Sequence, residues 1–162
     1  MRHDPVITIR QATDDDLPMI RQLRREWTIE QYGTDADADF DRRFAEWYAI
    51  EAHRRIVWLA DHDDQPVGMV NLVVFERMPR PGQPSSRWGY LGNTFVLPDH
   101  RNRGIGRRLV TTLLAYATAH DFARVVLSPT TRSIPFYTRV GFEPADMLLV
   151  HQLGNEAATT RA

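Results

Sequence analysis

Between Val96 and Leu109 the sequence leaves an apolar strand end, turns at Pro98, crosses a basic loop with glycines two residues apart and enters a helix. This passage restricts the fold more tightly than any other stretch. Backbone N–H groups at a helix start lack intrahelical partners, and the macrodipole adds roughly half a positive charge there. Gly104 and Gly106 permit unusual φ values and a close approach to the main chain. Arg101, Arg103, Arg107 and Arg108 supply donor forks suited to phosphate oxygens. The segment therefore reads as an anion cradle. It is not a P-loop, which needs Gly-Lys-Ser/Thr, because all 20 Lys/Arg residues are arginine. Nor is it a dinucleotide fingerprint, since Leu109 stands where a third small residue belongs and no βαβ unit precedes it.

Composition narrows the function classes. A chain of 162 residues suits one domain with a real core. A net charge of −1 gives no global attraction to nucleic acid or anionic membrane. Charge is local instead, acidic from Asp35 to Asp41 and basic from Arg101 to Arg108. With no cysteine there is no disulfide framework and no thiolate nucleophile. The acidic D-x-D-x-D run lacks the glycine and closing glutamate of a calcium loop, so no metal is expected. The N-terminus shows no signal-peptide core and no apolar run reaches membrane-spanning length, so the expected location is cytoplasmic.

In chain order, Val6 to Arg10 predicts a strand. Thr13 and the acids after it open a helix with Pro18 in its first turn and Leu17, Ile20, Leu23 and Trp27 along one stripe, ended by Gly33. A second helix follows the acidic run and carries Phe40, Phe44, Trp47 and Tyr48. Those acids either attract a cationic acceptor or are solvated first-turn carboxylates. Arg55 to Ala60 and Val67 to Phe75 read as strands joined by a polar hairpin link. A Pro-rich surface loop leads to the strand Trp88 to Leu97, whose internal Gly89 and Gly92 suggest a bulge or a close backbone approach. Gly106 to His120 is the clearest helix. A short strand, Val125 to Ser128, precedes a helix through Pro135, Phe136 and Tyr137 that Gly141 caps. Met147 to Leu153 is expected as a closing strand, and 154–162 as a disordered tail.

Two motifs in this order carry a resemblance. Val96-x-Pro98 with Arg101-x-x-Gly104-x-Gly106 resembles the acetyl-CoA motif of the GCN5-related N-acetyltransferases (GNAT), and Pro135-Phe136-Tyr137-x-x-x-Gly141-Phe142 resembles their closing motif. The resemblance covers residues 6–153, read as one N-acetyltransferase domain. It implies an α/β GNAT fold: a mixed, mostly antiparallel sheet of six to seven strands, about four flanking helices, and a splay between strands four and five.

It further implies acetyl-CoA as cosubstrate, its pyrophosphate on Arg101, Asn102, Arg103, Gly104, Ile105, Gly106 and Arg107, and its pantetheine pairing with main chain at Phe95 and Val96. The acetyl group would pass to a primary amine of a small molecule or peptide, with Tyr137 as general acid. Gly89, Tyr90 and Asn93 resemble a small-molecule subgroup. Tyr90, Asn93 and Tyr32 are candidate acceptor contacts, and Trp27, Trp47 and Tyr48 could also wall that pocket or simply be core. The base stays open among Glu76, Asp99, His100 and a water held by Asn93 or Tyr90. Thr130 and Ser133 depart from the family's asparagine and alanine. The all-arginine set would spare such an enzyme self-acetylation, but codon bias in a GC-rich genome is the stronger explanation. A non-enzymatic acyl-CoA-binding protein is the alternative, and a homodimer is left open.

Overall fold

The structure is a computed structural model describing residues 6–153. The chain divides after Val126 into two compact units. The expected tail at 154–162 lies outside the described residues.

The first unit is built on a five-stranded sheet in sequential order: β1 (Ile7–Gln11), β2 (Arg55–His62), β3 (Gln65–Glu76), β4 (Arg87–Val96) and β5 (Phe122–Val126). The first four pair antiparallel, and β5 lies parallel to β4. The helices of this unit are α1 (Leu17–Tyr32), α2 (Phe40–Glu51) and α3 (Ile105–Ala119). The six to seven strands expected are thus five among the described residues. The missing one is Met147 to Leu153, which forms no ladder and leaves Leu149 fully exposed. An apolar run becomes a strand only where another strand offers its edge, and Met-Leu-Leu-Val lacks the alternation of a half-buried one.

Local chemistry explains the joints. A 3-10 turn at Asp14–Asp16 leads into α1, where Pro18 lies in the first turn, and Gly33 closes the helix at φ 77°. The Asp16 carboxylate accepts from the Thr13 N–H at 2.8 Å, fixing that entry. Asp63 and Asp64 form the two-residue β2–β3 turn, both with positive φ (49° and 64°), the backbone that matches hairpin twist.

Strand alternation divides the core. Leu59, Met69 and Phe95 face α1, meeting Ile20 and Leu23, with Trp27 stacked on Phe95 at 5.5 Å. Of the α3 stripe expected from spacing (Leu109, Val110, Leu113, Leu114 and Ala117), all are buried but Leu114, which is half-buried. On that side a Cβ at Gly68 would come within 3.3 Å of Leu109, and Trp58 meets Tyr116 edge-on at 5.3 Å. At Gly89 a Cβ would collide with the Leu72 side chain, so this glycine marks a close approach.

Two irregularities in β4 position the site. Its register with β5 runs through Arg87, Gly89 and Tyr90, where Tyr90 pairs with Val126, and extends no further. Its register with β3 shifts between Met69 and Asn71, so that Asn93 and Thr94 together oppose Val70 in a bulge. Asn93 takes a left-handed φ of 53° there.

The second unit, from Leu127, contains α4 (Ile134–Arg139). Thr130 and Ser133 hydroxyls hydrogen-bond at 3.1 Å ahead of it, and Pro135 occupies its first turn. Gly141 follows at φ 100°, and the Phe142 N–H donates to the Tyr137 carbonyl at 3.0 Å.

Candidate active site

The basic loop forms the strand-to-helix passage expected of it. Pro98–His100 makes a 3-10 turn, Asn102 takes φ 60°, and Gly104 stands at the start of α3 with φ 76°. Nothing lies within 4 Å of a Cβ added at Gly104, so its glycine is required by backbone angle and not by crowding. No side chain caps α3. The first-turn N–H groups of Ile105, Gly106 and Arg107 therefore receive no side-chain acceptor from the described residues, while the Ile105 side chain is buried.

The arginines of this loop do different work. Arg101 donates through Nε to the Val96 carbonyl at 2.9 Å and through both terminal nitrogens to Glu30 on α1, each at 2.6 Å. It stitches the end of β4 to α1, and its guanidinium lies over Phe95 at 5.6 Å. The Glu30 bond holds its pKa above the usual arginine value. Arg108 donates to the Ile7 carbonyl at 2.9 Å. Arg103 and Arg107 are exposed and carry no side-chain partner among the described residues. They are the loop's available cations.

Phe95 is core, 4% exposed, so only its main chain can meet a ligand, and the same strand end offers half-buried Val96. Tyr90 is half-buried and pairs with Val73 and Val126. Tyr32, 56% exposed, ends α1.

A cavity of about 320 Å³ opens between α1, α2 and the sheet. Ile20, Phe40, Phe44, Trp47, Tyr48, Val57 and Met69 make its apolar wall, and Arg24, Arg43, Arg55, Asn71 and Asn93 its polar groups. Of the aromatics expected around an acceptor, Trp47 and Tyr48 line it, whereas Trp27, Tyr32 and Tyr90 do not. The β4 bulge brings Asn93 here. Asn71 pairs with Gly92, so strict alternation would send Asn93 to the opposite face, yet the Asn71 Nδ2 reaches Asn93 Oδ1 at 3.5 Å. Sequence reasoning missed Arg24 and Asn71. The signal for Asn71 was present, as the lone polar residue in the apolar run from Val67 to Phe75.

The acids beside the cavity are neutralised within the fold. Arg25 holds Asp35 at 3.0 Å and Asp41 at 2.6 Å, and Arg43 holds Asp37, whose carboxyl sits below the usual range for that reason. This favours the structural reading of the run. Among the candidate bases, Glu76 is exposed and lies 4.0 Å from Arg87, and Asp99 is exposed. The His100 ring meets His62 edge-on at 4.9 Å, with its Nδ1 buried and unpartnered.

In the second unit Tyr137 is half-buried on α4. Its ring lies edge-on to Phe136 at 5.0 Å and to Phe142 at 5.7 Å. The two phenylalanines of the motif thus fix the ring plane of the tyrosine between them.

Among the described residues, no group of three or more His, Cys, Asp or Glu is placed to hold a metal ion, and no helix is long and apolar enough to cross a membrane. The family model described as the acetyltransferase (GNAT) family matches residues 17–142. A glucosamine 6-phosphate N-acetyltransferase of Trypanosoma brucei brucei is 28% identical over 76 residues, which span 47% of this chain and 50% of that protein. The chain thus spans about half the length of this curated relative. A GCN5-related N-acetyltransferase from Ralstonia eutropha JMP134 superposes with a TM-score of 0.70 at 27% identity, covering 91% of this chain and 99% of that one. A protein from Clostridium acetobutylicum described as a predicted acetyltransferase, solved with acetyl-CoA, superposes with a TM-score of 0.73 at 19% identity, covering 91% and 96%.

Proposed function

Because the chain belongs to the GNAT acetyltransferase family, we propose that it transfers an acetyl group from acetyl-CoA to a primary amine of a small molecule. The observation that carries this reading is the uncapped start of α3 behind left-handed Gly104, flanked by Arg103 and Arg107, which have no side-chain partner among the described residues. A diphosphate seated there gains backbone N–H groups, the helix dipole and two cationic side chains together. Arg101 acts differently: held by Glu30 and Val96, it fixes the loop against β4 and leaves the phosphates to its neighbours.

The end of β4 then receives the pantetheine arm. Its ladder with β5 ends at Tyr90, so the arm adds to the strand near Phe95 and Val96 through main-chain hydrogen bonds. The left-handed turn at Asn93 reorients the amides of the bulge, and one of them serves as donor to the thioester oxygen as it becomes an oxyanion. The amine nitrogen, deprotonated, attacks the thioester carbon. The resulting tetrahedral centre releases its surplus nitrogen proton to solvent and collapses by breaking its C–S bond; the thiolate takes a proton from the Tyr137 hydroxyl, which is reprotonated from solvent. A phenol of pKa about 10 is protonated at neutral pH and can serve in this way. Its edge-on contacts with Phe136 and Phe142 make it a rigid donor.

Calorimetry with acetyl-CoA and a free-thiol assay with amine acceptors test the reading. Arg103→Glu is expected to weaken acetyl-CoA binding at least about tenfold, since one charge-assisted bond contributes about 1.5–3 kcal/mol. Tyr137→Phe is expected to lower kcat about 10²-fold with KM within a few-fold. Unchanged acetyl-CoA affinity in Arg103→Glu would refute the phosphate site. Binding without turnover of any amine would leave an acyl-CoA-binding protein.

A further inference from the structure

We infer that the cavity between α1, α2 and the sheet takes an acceptor amine that carries an anionic group on an apolar body. This rests on the acetyl-transfer reading and names the substrate class of its second site. Three features of the lining carry it.

First, no carboxylate lines the cavity, while three arginines do. A polycationic amine would meet like charge there and find no counter-ion. Second, the three arginines are not equivalent. Arg43 is paired with Asp37, and Arg55 with Glu51 at 2.8 Å. Arg24 lies over the Trp27 ring at 4.7 Å and has no anionic partner among the described residues. Half-buried on α1 with its plane held by the indole, it presents an unneutralised guanidinium suited to a carboxylate or phosphoryl group.

Third, the floor holds an unsatisfied acceptor. Asn71 is 5% exposed, and its Oδ1 has no hydrogen-bond partner among the described residues, while its Nδ2 is directed to Asn93. A buried carbonyl oxygen calls for a donor, and an acceptor amine brings N–H groups. Between anion and amine the wall is apolar, with Phe44, Trp47 and Met69 to cover a side chain of aromatic size. Anion at Arg24, amine at Asn71 and apolar body against α2 account for each part of the lining.

The test compares four acceptors with acetyl-CoA: L-phenylalanine, its phosphonate analogue 1-amino-2-phenylethylphosphonate, phenethylamine and kanamycin. The expected result is a kcat/KM for the better of the first two at least about tenfold above phenethylamine, with kanamycin lowest. Which of the two leads shows whether the anion is carboxylate or phosphoryl. Arg24→Gln should erase the advantage of the anionic acceptors over phenethylamine, and Arg24→Lys should restore part of it. Asn71→Leu should lower kcat/KM for all amines without changing their ratios.

Phenethylamine or kanamycin used as well as the anionic amines would overturn the inference, as would ratios unmoved by Arg24→Gln. Acetyl-CoA bound in calorimetry with none of these amines acetylated would also overturn it, leaving the cosubstrate site standing. Failure of acetyl-CoA to bind would overturn both readings.

Discussion

Asp16 shows how much one side chain can hold. It sits at the entry to α1, 9% exposed, and the Arg10 guanidinium reaches both its oxygens at 2.8 Å. The same guanidinium donates through Nε to buried Asp61 at 2.5 Å, so β1, β2 and the helix entry share one cation. Arg10 holds the Asp16 carboxyl well below the usual carboxylate range. A depressed folded value gives stability that is present above the unfolded pKa, about 3.9, and lost as pH falls through the folded value. Asp16→Asn is therefore expected to destabilise the protein by about 2 kcal/mol at pH 7. That gap should shrink below about pH 4, as the unfolded chain's Asp16 takes up a proton that the folded carboxylate still refuses. Urea unfolding of both proteins at several pH values measures it. At this scale legibility followed sequence distance. Pro18, Gly33, Gly104 and Gly141 were readable because their demands are local backbone angles. Arg101 was readable as a cation but not as a tie, because its partner Glu30 lies 71 positions away.

At the scale of elements, α3 was legible because its apolar stripe repeats at helical spacing and all of it but half-buried Leu114 is buried. The hairpin between β2 and β3 was legible as a connection, but its turn proved tighter than its polar link suggested. Strand pairing continues to His62 opposite Gln65, leaving Asp63 and Asp64 alone in the turn. Aspartate tolerates a left-handed φ, whereas glycine adopts it without a Cβ penalty. Asp63 has a second task, since its Oδ1 accepts from the Val6 N–H at 3.3 Å. Asp64 has φ 64° and its side chain has no partner among the described residues, so Asp64→Gly should stabilise the fold by about 0.5 kcal/mol, read as a small rise in Tm. A fall in Tm would show that Asp64 holds the turn by its side chain. Strand ends were less legible. β5 begins at Phe122, before the Val125 expected from its apolar core, and Met147 to Leu153 is no strand. Pairing is a property of two segments, and a single run of apolar residues carries only half of it.

For the whole molecule, the decisive quantity is where charge is left over. Twenty arginines nearly balance 21 acids, and the fold cancels many of them in place. Arg25 is tied to Asp35 and Asp41, Arg42 to Glu46, Arg54 and Arg55 to Glu51, and Arg101 to Glu30. Arg103 and Arg107 remain without a counter-ion among the described residues, side by side at the start of α3. A nearly neutral protein thus still leaves uncancelled cations flanking the start of α3, and an acidic run that reads as a site in one dimension is spent on structure in three. Attraction between those cations and a polyanionic cosubstrate should be screened by salt, over a Debye length of about 10 Å at 0.1 M. Acetyl-CoA affinity is expected to fall several-fold between about 0.05 and 0.5 M sodium chloride. The double variant Arg103→Gln with Arg107→Gln should bind at least about tenfold more weakly at low salt and show a flatter dependence, because the charges that salt screens are gone. Arg42→Gln, which removes a cation already paired with Glu46 at 2.9 Å, should leave both affinity and slope unchanged. Equal salt slopes in wild type and double variant would place the cosubstrate's phosphates on some other part of the surface.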